Sequence, residues 1–149
     1  MVSYIAGAAA VTGVGGFYAY WNQEKVFYKA KQLKLEKARK ILRYANDEHF
    51  ELNEVECRTT DSVNLRGFLV RHRPSPLNDN VKRIVLYFHG TRSRLDRKIP
   101  MFKKTCESLQ CDLLAFAYRG FTCSDPIKPT EEGLMLDCQA IADFFKKFS

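Results

Sequence analysis

The residues best suited to chemistry are His89 and Gly90, which follow a run of five apolar residues. Because the run Ile84–Phe88 is short, continuous and closed by a glycine, it predicts a strand that is buried on both faces, as in a parallel sheet. A second apolar run, Leu113–Tyr118, comes after a charged loop and a segment with helical character. In open α/β sheets, ligands bind beyond the carboxyl ends of the strands. The pattern therefore predicts a ligand site at His89 and Gly90.

Other side chains with nucleophilic or acid–base chemistry are scattered along the sequence. His49 lies in an acidic stretch and His72 begins a loop, so both are predicted to be exposed. Ser124 and Cys123 follow the second apolar run, but the sequence places no general base beside them. The five cysteines show no metal-binding spacing, which favours free thiols in a reducing compartment and leaves a disulfide open. The sequence predicts neither a metal nor a cofactor.

The elements around this predicted site indicate an α/β fold. Alternating residues predict a half-exposed strand at Leu52–Thr59, and a second strand is predicted at Leu65–Arg71. Helical periodicity indicates helices at Ile99–Gln110 and from Thr130 onward. The predicted order is β-β-β-α-β-α, an incomplete sheet of about four strands with two packing helices.

The N-terminal segment Tyr4–Trp21 carries no charged residue over 18 positions. As a helix it is about 27 Å long, close to the hydrocarbon thickness of a bilayer. Aromatic residues at both ends are typical of interfacial anchors, so we predict a transmembrane helix over residues 4–21; a targeting segment and a soluble helix stay as alternatives. The basic residues that follow favour a single-pass protein with a cytoplasmic main body, in a membrane that the sequence does not identify.

Residues 22–46 are predicted to form a basic helical stem. Residues 22–45 contain eight Lys and Arg and two Glu, so this segment carries +6 of the net charge of +7. Gln23–Ala45 contains no Gly or Pro, and Leu35, Ala38 and Leu42 form an apolar stripe. Two interpretations stay open: the helix lies on anionic lipid, or the stripe packs on the following domain. Because the positive charge is confined to this stem, nucleic acid is not an expected partner.

Four sequence stretches occur together in an order and spacing that resemble the α/β-hydrolase fold. More narrowly, they look like the membrane-anchored serine hydrolases of the α/β-hydrolase-domain type, which carry a single N-terminal transmembrane helix. The resemblance covers residues 55–148 and identifies residues 50–149 as the N-terminal part of such a domain. The four stretches are Thr59–Leu65, Leu86–Gly90, Tyr118–Ser124 and Glu131–Asp137.

The resemblance implies an oxyanion hole at His89, Gly90 and Thr91. In this family the loop after the His-Gly strand supplies a backbone N–H, and the glycine lets the main chain approach the substrate carbonyl. The complete enzymes cleave ester or thioester bonds of lipids or acylated proteins with a serine nucleophile. Thr91 stands where the family usually has asparagine. Three further positions replace a glycine of the family: Ser62, Thr122 and Pro126.

The nucleophile of the resembled family is absent from this sequence. It lies in a Gly-x-Ser-x-Gly elbow after the next strand, and the 149 residues contain no such motif. In the resembled sheet, Ile84–Phe88 lies between Leu113–Tyr118 and the nucleophile strand, so we expect an apolar sheet edge there. The sequence therefore predicts a truncated serine hydrolase-like chain that is inactive alone, as a fragment, an incomplete gene product or half of a two-part assembly.

The alternative is a non-catalytic, membrane-tethered interaction module. Such a degenerate relative would bind a protein partner through the open edge at Ile84–Phe88 or through its basic stem. A weaker third hypothesis is a peripheral protein that binds anionic lipid through Gln23–Ala45. Whether the chain is an enzyme, and on which substrate, stays open from the sequence.

Overall fold

A computed structural model describes residues 16, 18, 20, 28, 30–73, 83–90 and 94–147. From residue 35 onward the helices and strands follow the predicted order, and the α/β class is confirmed. The elements are α1 (Leu35–Ala45), β1 (Phe50–Arg58), β2 (Asn64–His72), β3 (Ile84–Tyr87), a 3-10 turn (Leu95–Lys98), α2 (Ile99–Leu109), β4 (Asp112–Phe116) and α3 (Glu131–Phe145).

These strands form one mixed sheet in the order β1-β2-β4-β3. β1 pairs with β2 and β2 with β4 in antiparallel fashion, whereas β3 pairs with β4 in parallel, which places Tyr87 opposite Ala115. α2 is the crossover of the β3–α2–β4 unit. One face of the sheet is covered by α1 and α2 through Leu42 and Phe102, and the other face by α3 through Ile141. The end of β3 therefore lies beside the end of β4.

β3 differs from the sequence prediction because it is not buried on both faces. All four of its residues are only half-buried and the following Phe88 is 44% exposed, whereas β4 is almost fully buried. The cause is position in the sheet: β4 has a neighbour on each side, and β3 is bordered by β4 alone among the described residues. The sheet edge expected at Ile84–Phe88 is therefore present in the described part of the chain.

The stem helix is shorter than predicted. A helix was expected over residues 23–45, but α1 begins at Leu35 and residues 30–34 are not helical. Gln32 pairs with Thr122 in a parallel bridge, and the Thr122 N–H donates to the carbonyl of the residue before Gln32. Because these tertiary hydrogen bonds engage backbone groups that a helix would use, the chain reaches the domain as an extended arm.

α1 packs its apolar stripe against the domain. Leu42 is buried in the cluster between the sheet and α2, and Ala38 is buried against Leu33 and Cys123. Of the two interpretations that the sequence left open, the burial of this stripe supports packing on the domain. The opposite face of α1 remains on the surface.

The predicted transmembrane helix, Tyr4–Trp21, lies outside the described residues except for Gly16, Tyr18 and Tyr20. Among the helices of the described residues, none is both long enough and apolar enough to cross a bilayer. The membrane anchor therefore stays a prediction.

Candidate functional site

His89 is held firmly at the carboxyl end of β3. Its Nε2 accepts the backbone N–H of Tyr118 at 3.1 Å, and its Nδ1–H donates to the Gly90 carbonyl at 2.8 Å. The rings of Tyr118 and Phe121 pack on it with centroid distances of 4.5 and 5.0 Å. Burial lowers the pKa of His89 and so favours the neutral imidazole, which the accepting Nε2 requires. His89 therefore fastens the end of β3 to the turn after β4, and neither ring nitrogen is left to act as a general base.

Gly90 follows with an exposed backbone. A Cβ at this position would meet no atom of the described residues within 4 Å, and the backbone is not left-handed, so the described fold does not itself require a glycine here. Because glycine has no side chain, another molecule can approach the main chain closely at this position. Thr91, the third predicted oxyanion-hole residue, lies outside the described residues.

Three of the four motif stretches meet in a buried charge network to which sequence reasoning assigned no role. Arg119 Nη2 lies 2.8 Å from Asp137 Oδ1, and Arg119 Nη1 lies 2.7 Å from Asp61 Oδ2. Asp137 is fully buried and also accepts the Arg119 backbone N–H at 2.8 Å. Hydrogen bonds from Arg119 lower the pKa of Asp61. Because Tyr118 binds His89, all four stretches form one connected unit.

The start of α3 contains the sequence signal that could have revealed this network. A Cβ on Gly133 would lie 2.8 Å from Arg119 Nη1, so the glycine leaves room for the guanidinium against the helix. Gly133 and Asp137 are four residues apart and therefore share a helix face. Thr130 caps the helix by accepting the Gly133 N–H at 3.1 Å. This glycine and this acid, on one face of the helix, are therefore the local signal of the site: the glycine gives space and the acid gives a counter-charge for Arg119.

Ser62 and Thr122 have left-handed backbones. These are two of the positions where the family that the sequence resembles has a glycine. φ is +69° at Ser62 and +48° at Thr122, and this conformation costs residues with a Cβ roughly 1–2 kcal/mol. Thr122 is fully buried, bridges Gln32, and accepts the Leu95 N–H on its Oγ1 at 3.3 Å. Ser62 is exposed in the turn between β1 and β2. Tertiary contacts therefore support the strained Thr122, whereas Ser62 lies at the surface.

Ser62→Gly is expected to stabilise the fold by about 0.5–1 kcal/mol, because glycine adopts this φ without strain and the lost side chain is exposed. Urea unfolding followed by circular dichroism measures the change. Ser108→Gly makes the same replacement in the exposed last turn of α2 and should destabilise the protein, since glycine is unfavourable in helices. A loss of stability in Ser62→Gly would contradict the strain assigned to this turn.

Ser124 and Cys123 have structural roles. The Ser124 hydroxyl donates to the Ala117 carbonyl at 2.7 Å and accepts the Arg66 N–H at 2.9 Å, and the residue is 2% exposed. Burial raises the pKa of the Cys123 thiol to about 11, so the thiol stays protonated at neutral pH. Neither side chain presents a nucleophile at the surface.

The two other histidines lie apart from His89. His49 is exposed, as predicted. The prediction that His72 is exposed is wrong: the residue is half-buried and its ring lies 5.1 Å from that of Phe50. The reason is that β2 extends to His72, where the sequence predicted the start of a loop.

An open groove of about 650 Å³ lies beside the end of β3. One side is formed by Phe88, His89 and Tyr118, and the other side by α3, including the exposed Met135. The Cys138 thiol is 3.8 Å from the Tyr118 hydroxyl within this groove. Since most of the lining is apolar, the groove can accept an apolar chain next to the exposed glycine that follows His89.

Comparison with known proteins relates this chain to one superfamily. No family model matches the chain. The α/β-hydrolase-family protein bem46 of Schizosaccharomyces pombe is 27% identical over 96 residues, which are 64% of this chain and 31% of the relative. The chain is therefore similar in sequence to the α/β-hydrolase superfamily. It spans about a third of the length of the curated relative.

Among solved structures, the chain is similar to the Pyrococcus furiosus esterase Pf2001 in three crystal forms. The TM-scores are 0.47, 0.49 and 0.49, with sequence identities of 23%, 24% and 24%. The matches cover 66% of this chain and 34%, 37% and 35% of the esterase chains. The likeness to the superfamily rests on the sequence relative and on the four connected motif stretches.

Proposed function

We propose that this chain supplies one wall of the oxyanion hole of a serine hydrolase and has no hydrolase activity alone. The observation that carries the proposal is the end of β3, where His89 is held by Tyr118 and Gly90 is exposed with open space around its α-carbon. A backbone N–H that follows such a glycine can donate to a carbonyl oxygen on which negative charge develops. The predicted donors are those of Gly90 and Thr91.

The proposed substrates are esters or thioesters with an apolar acyl group, as in a lipid or an acylated protein. A serine would attack the carbonyl carbon, and the wall at Gly90 and Thr91 would stabilise the oxygen of the tetrahedral intermediate. The groove beside this wall, with Phe88, Tyr118 and Met135 in its lining, supports an apolar acyl group. The carbonyl oxygen of an ester and that of a thioester both become negatively charged when the serine attacks. The same backbone donors can therefore stabilise either intermediate.

The nucleophile and its base are proposed to come from polypeptide outside these 149 residues. The sequence contains no Gly-x-Ser-x-Gly, and His89 Nε2 is engaged by the Tyr118 N–H. The Ser124 hydroxyl is also engaged, so the described residues offer no Ser–His pair. The open edge of β3 has backbone groups on which a further strand can pair.

The proposal retains a single transmembrane anchor at Tyr4–Trp21. The uncharged stretch and the basic residues after it support a single-pass protein whose main body is cytoplasmic. Such an anchor would keep the groove near acyl chains in the membrane.

The second candidate function is a non-catalytic interaction module tethered to a membrane. The observation in its favour is again the edge of β3, where four apolar residues, Ile84–Tyr87, lack a second strand neighbour in the described part of the chain. Exposed apolar edges bind strands of other proteins. Under this hypothesis Gly90 has no chemical role.

A serine-reactive fluorophosphonate probe is expected to give no stoichiometric labelling of the purified 149-residue chain, because the Ser124 hydroxyl is engaged and no serine is hydrogen-bonded to a histidine among the described residues. An active serine esterase in the same reaction is the positive control. Labelling of one site per chain that disappears in Ser124→Ala or Ser93→Ala would overturn the proposed inactivity.

The messenger RNA beyond codon 149 separates the two candidate functions. A continuing frame that encodes Gly-x-Ser-x-Gly supports the serine hydrolase, since it supplies the missing nucleophile. A stop codon with no such frame in any transcript supports the interaction module.

A further inference from the structure

We propose that the outward face of α1 binds an anionic lipid surface. This face consists of Lys37, Lys40, Arg43 and Tyr44 together with one exposed acid, Glu36, so its net charge is +2. The proposal rests on described residues of α1, so it stands or falls independently of the hydrolase chemistry and of the predicted transmembrane helix.

The domain fixes which side of α1 points outward. Ala38 is 1% exposed and Leu42 is 5% exposed, so the apolar stripe of α1 is buried against the domain. On the flank, Arg39 Nε lies 2.8 Å from Glu54 Oε2 on β1. Since residues three and four apart share a helix face, the side opposite the stripe is presented to the surroundings in one orientation.

The outward face combines unpaired positive charge with an exposed aromatic ring. Lys37, Lys40 and Arg43 are exposed, and no carboxylate of the described residues lies within 4 Å of their charged groups. Tyr44 is 80% exposed, and Lys40 Nζ lies 5.9 Å from its ring centroid. Most of the apolar ring surface of Tyr44 is therefore left in water, which is unfavourable unless something covers it.

An anionic lipid surface matches both properties of this face. Lysine and arginine are attracted to acidic headgroups, and tyrosine is favoured at the boundary between headgroups and acyl chains. Lys31 and Lys34 are exposed just before the helix and extend the basic surface. From residue 46 onward the chain has 16 basic and 15 acidic residues, a net charge of +1, so charge complementarity to acidic lipid is concentrated at the stem.

A tryptophan at position 44 reports whether this face touches lipid. The full chain has one tryptophan, Trp21, so the reporter variant is Trp21→Phe/Tyr44→Trp, and the matched control is Trp21→Phe/Leu136→Trp on α3. Leu136 is 36% exposed, lies outside the groove beside β3, and is on the other side of the sheet. The vesicles contain phosphatidylcholine alone or with about one-third phosphatidylserine, each with brominated acyl chains that quench nearby tryptophan.

The fluorescence of the reporter at position 44 is expected to shift to the blue and to be quenched by phosphatidylserine vesicles, while the reporter at position 136 keeps its emission. If the N-terminal segment alone holds the chain on the membrane, both variants bind vesicles of either composition and neither is quenched differently by acidic lipid. That result would overturn the proposal for α1.

Charge reversal tests the electrostatic part of the proposal. Lys37→Glu/Lys40→Glu is compared with Lys104→Glu/Lys147→Glu; each pair changes four charge units and lowers the net charge from +7 to +3. The first pair is expected to weaken the preference for phosphatidylserine vesicles by about tenfold or more, and salt near 1 M should do the same to the unaltered chain. Equal weakening by both pairs, or tighter binding to duplex DNA than to the vesicles, would overturn the assignment.

Discussion

Asp137→Ala is expected to destabilise the folded chain by about 3–5 kcal/mol, because it leaves the buried Arg119 guanidinium without its main counter-charge. Asp137 is fully buried. Its two carboxylate oxygens accept three groups of Arg119: the backbone N–H, Nε and Nη2. Asp61 pairs with the same guanidinium, but its side chain is 38% exposed, so water already screens that pair. The loss should therefore be concentrated at Asp137.

Urea unfolding monitored by circular dichroism measures this effect, with Asp143→Ala as the matched control. Asp143 lies on the same helix, and its partners Gln139 and Lys146 are exposed. Removing an exposed pair is expected to cost less than about 1 kcal/mol. A similar small cost for Asp137→Ala would show that Arg119 finds water or another partner, contrary to the buried network.

The double variant Arg119→Met/Asp137→Leu distinguishes the penalty of an unpaired charge from the loss of the pair. Replacing a buried ion pair with apolar side chains is often close to neutral, whereas breaking it is costly. We therefore expect the double variant to be more stable than Asp137→Ala. If the double variant is the less stable, the network contributes stability through its hydrogen bonds beyond satisfying Arg119.

Local sequence pattern was sufficient to predict most elements of the fold. The two apolar runs located β3 and β4, and the helical period located α3. The helix expected from Thr130 onward begins at Glu131, with Thr130 as its cap. Each of these signals depends only on residues that are close together in the sequence. They can therefore be recognised before the tertiary structure is known.

The features that sequence did not predict depend on partners distant in the chain. α1 is shortened by a bridge between Gln32 and Thr122, and β3 is half-buried because the described sheet ends with it. At the site, the sequence identified His89 and Gly90, but the hydrogen bond from Tyr118 to His89 spans 29 positions. Such contacts are set by three-dimensional packing, and no local period encodes them.

Gly67→Ala is expected to destabilise the protein by about 3 kcal/mol, since the added methyl group meets main-chain atoms of the neighbouring strand. Gly67 lies opposite Phe116 in the β2–β4 ladder. A Cβ there would be 2.2 Å from the Ala115 carbonyl oxygen and 2.9 Å from the Phe116 Cα. Backbone atoms of a central strand cannot move aside as a flexible side chain can, so β2 and β4 must separate locally.

Gly90→Ala is the matched control. Its Cβ would meet no atom of the described part of the chain within 4 Å, so the stability should change by less than about 0.5 kcal/mol. Urea unfolding compares the stabilities of the two variants. Hydrogen exchange at the backbone amides of β2 and β4 shows whether the loss of protection in Gly67→Ala is confined to this strand pair. Equal stability of both would refute the close approach at Gly67. The contrast separates two reasons for a glycine: at Gly67 the fold of this chain needs the space, whereas at Gly90 the described fold leaves the space open, which suits the proposed oxyanion hole.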